Sequence, residues 1–254
     1  MSGKGRMDIS VVIPTLKPRG EVEAIEHLEQ GDFDDYEVLI QDEYPVTKAR
    51  NEGARAAQAE KIVFIDDDSR PREGYLRRVS EALETEDALS GRTVHPHNDI
   101  FESELTSHYD FGDEPRYINR FWGCNMAIRK EVLADVGWWD EEMGWGHEEK
   151  ELADRVIERY RIYYEPEAVV DHPYANSISD YWLKQYKLEK QTPYYWDRRG
   201  MPVQQQWLAV IKSILNPLHY VRRTPKLTLV KAGGTLARGA GRIMGLASKR
   251  RSQR

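Results

Sequence analysis

The chain has 254 residues, 40% of them hydrophobic and 31% charged, with a formal net charge of −6 at pH 7. Cys124 is the single cysteine, which excludes an intrachain disulfide and suits a reducing compartment. No window offers the roughly 18 to 20 apolar residues of a spanning helix, and the N-terminal "MSGKGRMD" lacks the apolar core of a secretory leader.

The charge is unevenly spread. Residues 198–254 carry 13 Lys or Arg and no acid, whereas residues 1–197 carry 24 bases against 43 acids, a net of −19. The expected organisation is an acidic body over 1–197 and a basic, partly amphipathic extension over 198–254.

Residues 8–13, "DISVVI", are a β-branched run closed by Pro14 and predict a buried strand. A short helix over 20–30 follows, then a strand over 36–41, "YEVLIQ", ending at Asp42. The Ala-rich stretch 46–59 predicts a helix weakened at Gly53. Residues 61–65 predict a third strand, running into "DDDSRP", and 72–84 a further helix. Strands alternating with helices imply crossover units, a mostly parallel sheet and ligands beyond the carboxyl ends of the strands. Pro14, Thr15, Asp42 and Asp66–Asp68 all fall at such ends. A strand near 88–94, a polar insertion from His95 to Glu114 and an extended "FWGCNMAIR" over 121–129 come next. Helices are expected over 147–160, with Leu152, Val156 and Ile157 as the apolar stripe, over 177–197 and over 202–215. Beyond Pro225 the small apolar, Gly and Arg residues show no clear period.

Two constellations carry chemistry. Asp66-x-Asp68 offers oxygen ligands suited to a hard divalent cation shared with substrate phosphates; the same residues, or Ser69, could instead cap a helix at 72. In "GWWDEEMGWGHEEKEL", 137–152, Glu148 and Glu149 open a helix whose dipole favours the ionised form, as a general base requires. Trp138, Trp139 and Trp145 supply flat surface beside them for a sugar ring, or else belong to the core. A phosphatase built on "DDDS" would need Thr or Val where Arg70 stands.

The ordered set "VVIPT", "ARNEG" at 49–53, "FIDDDSRP" at 64–71, "GCNMAIRKEVLADVGWWDE" at 123–141 and "GWGHEEKELADR" at 144–155 resembles the family 2 inverting glycosyltransferases of the GT-A fold over residues 8–175. The resemblance implies an α/β fold with a Rossmann-like, mostly parallel sheet flanked by helices, here followed by a helical basic C-terminal extension. It also implies the site. Pro14 and Thr15 line the nucleotide pocket, Asp42 contacts the base although the common D-D-G-S reads "QDEY" here, and Arg50 and Asn51 lie beside the nucleotide. Asp66 and Asp68 hold Mn²⁺ or Mg²⁺, with Asp68 the direct ligand, His172 a third ligand and Asp67 between them near the donor. Gly123 and Asn125 approach the donor sugar. Glu149 is the base, one methylene longer than the family's usual Asp, and Glu148 supports the acceptor or the helix start.

The implied reaction is transfer from a nucleoside-diphosphate sugar to a hydroxyl acceptor with inversion, the acceptor being a glycan or a polyprenyl- or dolichyl-phosphate-linked one. A catalytically weak sugar-nucleotide-binding protein is the alternative, motivated by Glu149. The extension alternates basic and apolar residues, which suits an anionic membrane surface on the cytoplasmic side; a packed helix followed by a solvated tail is the other option. The acidic body argues against nucleic acid as a partner.

Overall fold

The computed structural model describes residues 7–252. The chain forms two compact units: the N-terminal residues up to Glu141 with Leu152–Pro173, and Glu142–Glu151 with the residues from Tyr174 onward.

In the first unit β1 (Ile9–Pro14), α1 (Glu23–Glu29), β2 (Tyr36–Gln41), α2 (Val46–Ala56) and β3 (Lys61–Phe64) follow in chain order. Then come β4 (Arg70–Pro71), α3 (Tyr75–Ala82), β5 (Ala88–Val94), α4 (Ile100–Leu105), β6 (Arg116–Ile118), β7 (Met126–Arg129) and α5 (Lys130–Asp135). Helix α6 (Glu148–Val156) leads into β8 (Ile162–Asp171). Among the described residues the strands make one eight-stranded sheet in the order β2-β1-β3-β7-β5-β8-β4, with β6 also on β8. Strands β1, β2, β3, β5 and β8 point one way; β4, β6 and β7 oppose them. The sheet is thus mostly parallel, with β7 inserted between two parallel sets.

Alternation along the strands explains the layering. Ile9, Val11, Ile13, Val63 and Ile65 face a core completed by α1 and α3. Val12, Ile62 and Phe64 point the other way, into a core completed by α2, α5 and the second half of α6. With both faces covered, these strands read as continuous apolar runs. Each fully buried Val, Ile or Phe contributes about 1.5–3 kcal/mol.

The second unit contains α7 (Ile178–Glu189), α8 (Thr192–Arg198), α9 (Val203–Leu215) and α10 (Pro225–Ser252). The Trp182 indole donates to the Val230 carbonyl at 3.0 Å, Arg238 donates to the Gln185 side-chain Oε1 at 3.0 Å, and Lys249 donates to the Pro193 carbonyl at 3.1 Å. Several charges of the basic extension are therefore satisfied by α7 and α8.

Three local expectations are corrected. The helix expected over 147–160 stops at Val156, and Ile157 is 42% exposed, so the buried stripe is Leu152, Ala153 and Val156. The helix expected over 177–197 is broken before Thr192, because Pro193 begins a new first turn. The stretch beyond Pro225, without a visible period, is one 28-residue helix.

Candidate functional site

Register brings the sequence-picked residues of the first unit to one edge of the sheet. Pro14 pairs with Gln41 and Val12 with Phe64, so Thr15, Asp42 and Asp66 emerge side by side. Val94 pairs with Asp171, and the His172 amide donates to the Val94 carbonyl at 2.9 Å, so His172 leaves the same edge.

The three consecutive acids have three different environments. Asp67 accepts from the Thr15 hydroxyl and from Lys17 Nζ at 3.0 Å. That bond, opposed by partial burial, raises the Lys17 ammonium above its ordinary value. Asp66 places one oxygen 3.5 Å from the buried Arg50 guanidinium and the other 3.6 Å from His172 Nε2. Asp68 Oδ1 lies 3.2 Å from the same nitrogen. The turn is fixed by Ser69, whose hydroxyl accepts from the Asp66 amide at 3.2 Å and donates to the Cys124 carbonyl at 3.1 Å. Helix α3 starts at Tyr75 behind Gly74, so neither Asp68 nor Ser69 caps it.

Donor atoms of Asp66, Cys124 and His172 lie within 4.8 Å of one another. Some point therefore lies within about 2.8 Å of all three, close to metal–ligand bond lengths of about 2.0–2.3 Å. The two carboxylates are partly exposed, whereas Cys124 and His172 are buried. Burial alone would lower the His172 pKa. The Cys124 sulfur, Asp68 and Asp66 outweigh it and hold the imidazole well above its ordinary value. Its Nδ1 is buried without a hydrogen-bond partner. Oxygen, imidazole and sulfur donors converging on one point fit a borderline divalent cation such as Co²⁺ or Zn²⁺, and the carboxylates and imidazole without the sulfur fit Mn²⁺. Cys124 and Lys17 escaped the sequence reading: a lone cysteine among apolar residues and a lysine in a loop carry no local signal.

Several of the residues expected near the donor make hydrogen bonds within the fold. Asn125 is fully buried; its amide donates to the Arg92 and Ala168 carbonyls at 2.9 and 3.1 Å and accepts from Tyr75 Oη. It stands where Gly91 leaves room: a Cβ there would lie 2.0 Å from the Ala168 carbonyl and 2.6 Å from the Asn125 amide. Asn51 donates to the Trp139 carbonyl and to Glu141, and accepts from the Trp139 amide at 2.9 Å. Both amides are thus hydrogen-bonded within the fold. Trp139 is 2% exposed, with Phe64 against it edge-on and Arg50 4.7 Å above its ring, so it offers no face to an acceptor. Trp138 is half-buried beneath Arg55, and Trp145 is 41% exposed. Gly123 passes close to the Arg50 guanidinium, and Asp42 is exposed at the end of β2.

In the second unit Glu148 is buried and accepts from the Gly146 amide at 2.5 Å. Glu149 follows, half-buried in the first turn of α6, where the helix dipole favours negative charge.

Residues 17–137 match the family model "Glycosyl transferase family 2". Over 150 residues the chain is 29% identical to the pre-mycofactocin glycosyltransferase of Mycobacterium tuberculosis, matched in two strains. The match covers 53% of this chain and spans 31% of the length of those relatives. Among solved structures, a mannosyltransferase from Pyrobaculum calidifontis with GDP-mannose and Mn²⁺ aligns over 96% of this chain and 74% of its own, with TM-score 0.54 and 14% identity. Residues 1–349 of S. aureus TarS align over 97% and 92%, with TM-score 0.53 and 12% identity. GalNAc-T7 with UDP, GalNAc and Mn²⁺ aligns over 67% and 44%, with TM-score 0.51 and 13% identity. These likenesses show the GT-A fold. The segment that matches glycosyl transferase family 2, residues 17–137, carries the strand-tip acids.

Proposed function

We propose that the protein transfers a sugar, with inversion, from a nucleoside-diphosphate sugar to a hydroxyl of a glycan or polyprenyl-phosphate-linked acceptor. The observation that carries this reading is the convergence of Asp66, Asp68, His172 and Cys124 at the tips of the sheet. These residues would hold Mn²⁺ or a similar ion, which when bound supplies Lewis-acid charge for a diphosphate leaving group. Thr15 and Lys17 gather Asp67 on the nucleotide side, and exposed Asp42 is available to the base. Glu149, at its helix start, takes the proton of the attacking hydroxyl, and Glu148 holds the turn. A single displacement at the anomeric carbon inverts it without an enzyme nucleophile. Trp145 and the open part of Trp138 are the faces left for the acceptor.

The alternative of a binding protein without turnover is not favoured, since the matched relatives are described as transferases. A screen of nucleotide sugars for diphosphate release, with Mn²⁺ or Mg²⁺ and lipid extract, tests the proposal. Turnover should be lost in Asp68→Ala and Glu149→Gln; full activity of Glu149→Gln with acceptor present would remove the base assignment.

The lipid-linked acceptor is supported by the extension. Among the described residues no helix is long and apolar enough to cross a membrane. Leu208, Ile211, Leu215, Leu218 and Val221 are nonetheless 49–73% exposed, beside Lys212, Arg222 and Arg223. Apolar side chains among basic ones suit the cytoplasmic face of an anionic bilayer. The protein should co-float with phosphatidylglycerol vesicles and not with phosphatidylcholine ones; Leu215→Glu with Leu218→Glu should abolish co-flotation.

A further inference from the structure

A buried polar chain in the second unit ends at the residue before the two acids. Arg242 of α10 grips the Glu189 carboxylate of α7 through two bonds of 2.7 and 3.0 Å, and a third bond of 3.1 Å reaches Ser213 of α9. The Thr192 hydroxyl donates to the same carboxylate at 2.5 Å. That hydroxyl has only one proton. Its 2.9 Å contact with His147 Nε2 must therefore be one in which the imidazole donates. The direction of donation is thus fixed from His147 through Thr192 to Glu189.

The segment this chain reaches is held in uncommon backbone. His147 has φ 64° and Gly146 φ 118°. A Cβ at Gly146 would lie 2.8 Å from the Leu188 carbonyl, so the segment runs hard against the end of α7. A non-glycine residue in the left-handed region costs about 1–2 kcal/mol and persists only where its surroundings enforce it. Further anchors flank it. Glu142 accepts from Tyr194 and from Arg198 at 2.5 and 2.9 Å, Met143 is fully buried, and Lys150 lies 4.6 Å above the Tyr195 ring.

We infer that His147, Thr192, Glu189 and Arg242 are positioning residues that set the turn carrying Glu148 and Glu149, so that the basic C-terminal helix is part of the reaction machinery. The inference rests on the assignment of Glu149 as base. Helices α7, α8, α9 and α10 each supply one member of the network, and the network's free end is the backbone that starts α6. Glu149 lies two residues beyond that end, where a shift of about 1 Å can cost about 100-fold in rate.

The test compares His147→Ala and Thr192→Val with His147→Gln and Thr192→Ser, which keep a donor and a hydroxyl respectively. Hydrogen exchange of the 142–151 peptide, binding of the nucleoside diphosphate with Mn²⁺, and kcat and KM for the nucleotide sugar are measured together. In the first pair, exchange in 142–151 should accelerate and kcat should fall about 10- to 100-fold, with diphosphate affinity and donor KM unchanged. The second pair should restore most of both. Wild-type exchange in His147→Ala and Thr192→Val would overturn the relay, as would a kcat loss matched by equal loss of diphosphate binding. A freed segment with unchanged kcat would overturn its link to the reaction. Absence of any transfer by the wild-type protein would instead overturn the proposed function.

Discussion

Replacing Arg242 by Met would strand a buried carboxylate. Burial pushes Glu189 up, but the imidazole of His147 and the bidentate guanidinium of Arg242 outweigh it and hold the group at about 2, against an ordinary 4.5. At 3.8 Å the imidazole is too far for a hydrogen bond, so Arg242 is the principal cause. A displacement of that size corresponds to about 3 kcal/mol. Because the folded-state pKa is depressed, this stability is complete above about pH 4.5 and is lost as pH falls toward 2. Arg242→Met should therefore cost about 3 kcal/mol or more at neutral pH. It should also abolish the part of the acid slope that disappears in Glu189→Gln. Urea unfolding followed by tryptophan fluorescence across pH 2–7 reads both effects. Glu37 and Asp99 also have depressed carboxyls, so only the difference between wild type and Glu189→Gln isolates the pair. Unfolding of Arg242→Met at the wild-type urea concentration at pH 7, or retention of the Glu189-dependent slope, would refute this role for Arg242.

Other outcomes follow from the site. Cys124→Ser should weaken Co²⁺ and Zn²⁺ binding more than Mg²⁺ binding and remove any sulfur-to-cobalt charge-transfer absorption; unchanged cobalt spectra would take sulfur out of the ligand set. Cation affinity measured by calorimetry should be weak alone and rise with nucleoside diphosphate, since a cation between the diphosphate and Asp66, Asp67 and Asp68 offsets the repulsion of both; equal affinities would refute that. Gly91→Ala should destabilise the first unit by at least about 1–3 kcal/mol in urea unfolding, because its methyl group would meet the Ala168 carbonyl. Lys17→Ala should raise the KM for the nucleotide sugar with little change in melting temperature, as it removes an exposed contact to Asp67 rather than core.

The central parallel strands β1 and β3 were legible because both their faces are buried. β1, β2, β3 and β5 are runs whose period and closing residues announce them, and their tips gather Thr15, Asp42 and Asp66 by register alone. What escaped depends on pairing between distant segments. Cys124 reaches Asp66 and His172 only because β7 runs antiparallel between β3 and β5. Trp139 read as a surface for sugar, yet its neighbours Phe64 and Arg50 come from other elements and cover it. Asn51 and Asn125 sit in segments that mark the site, but their amides serve the backbone that shapes it. Helix α10 shows no apolar stripe because much of its buried face is small residues and arginines, the latter finding Gln185 and Glu189 on α7.

The insertion of β7 also bears on how the chain is made. β1, β2 and β3 are complete within the first 64 residues, but the neighbour that closes β3 begins only at Met126. During synthesis the apolar edge "KIVF" waits, with its backbone groups unpaired, while some sixty more residues emerge. Such an edge is a template for the same edge on another nascent chain. A fragment ending before Met126 should self-associate where the full chain does not, and light scattering would show it. In the cell, nascent chains on one polysome would carry that open edge until β7 arrives.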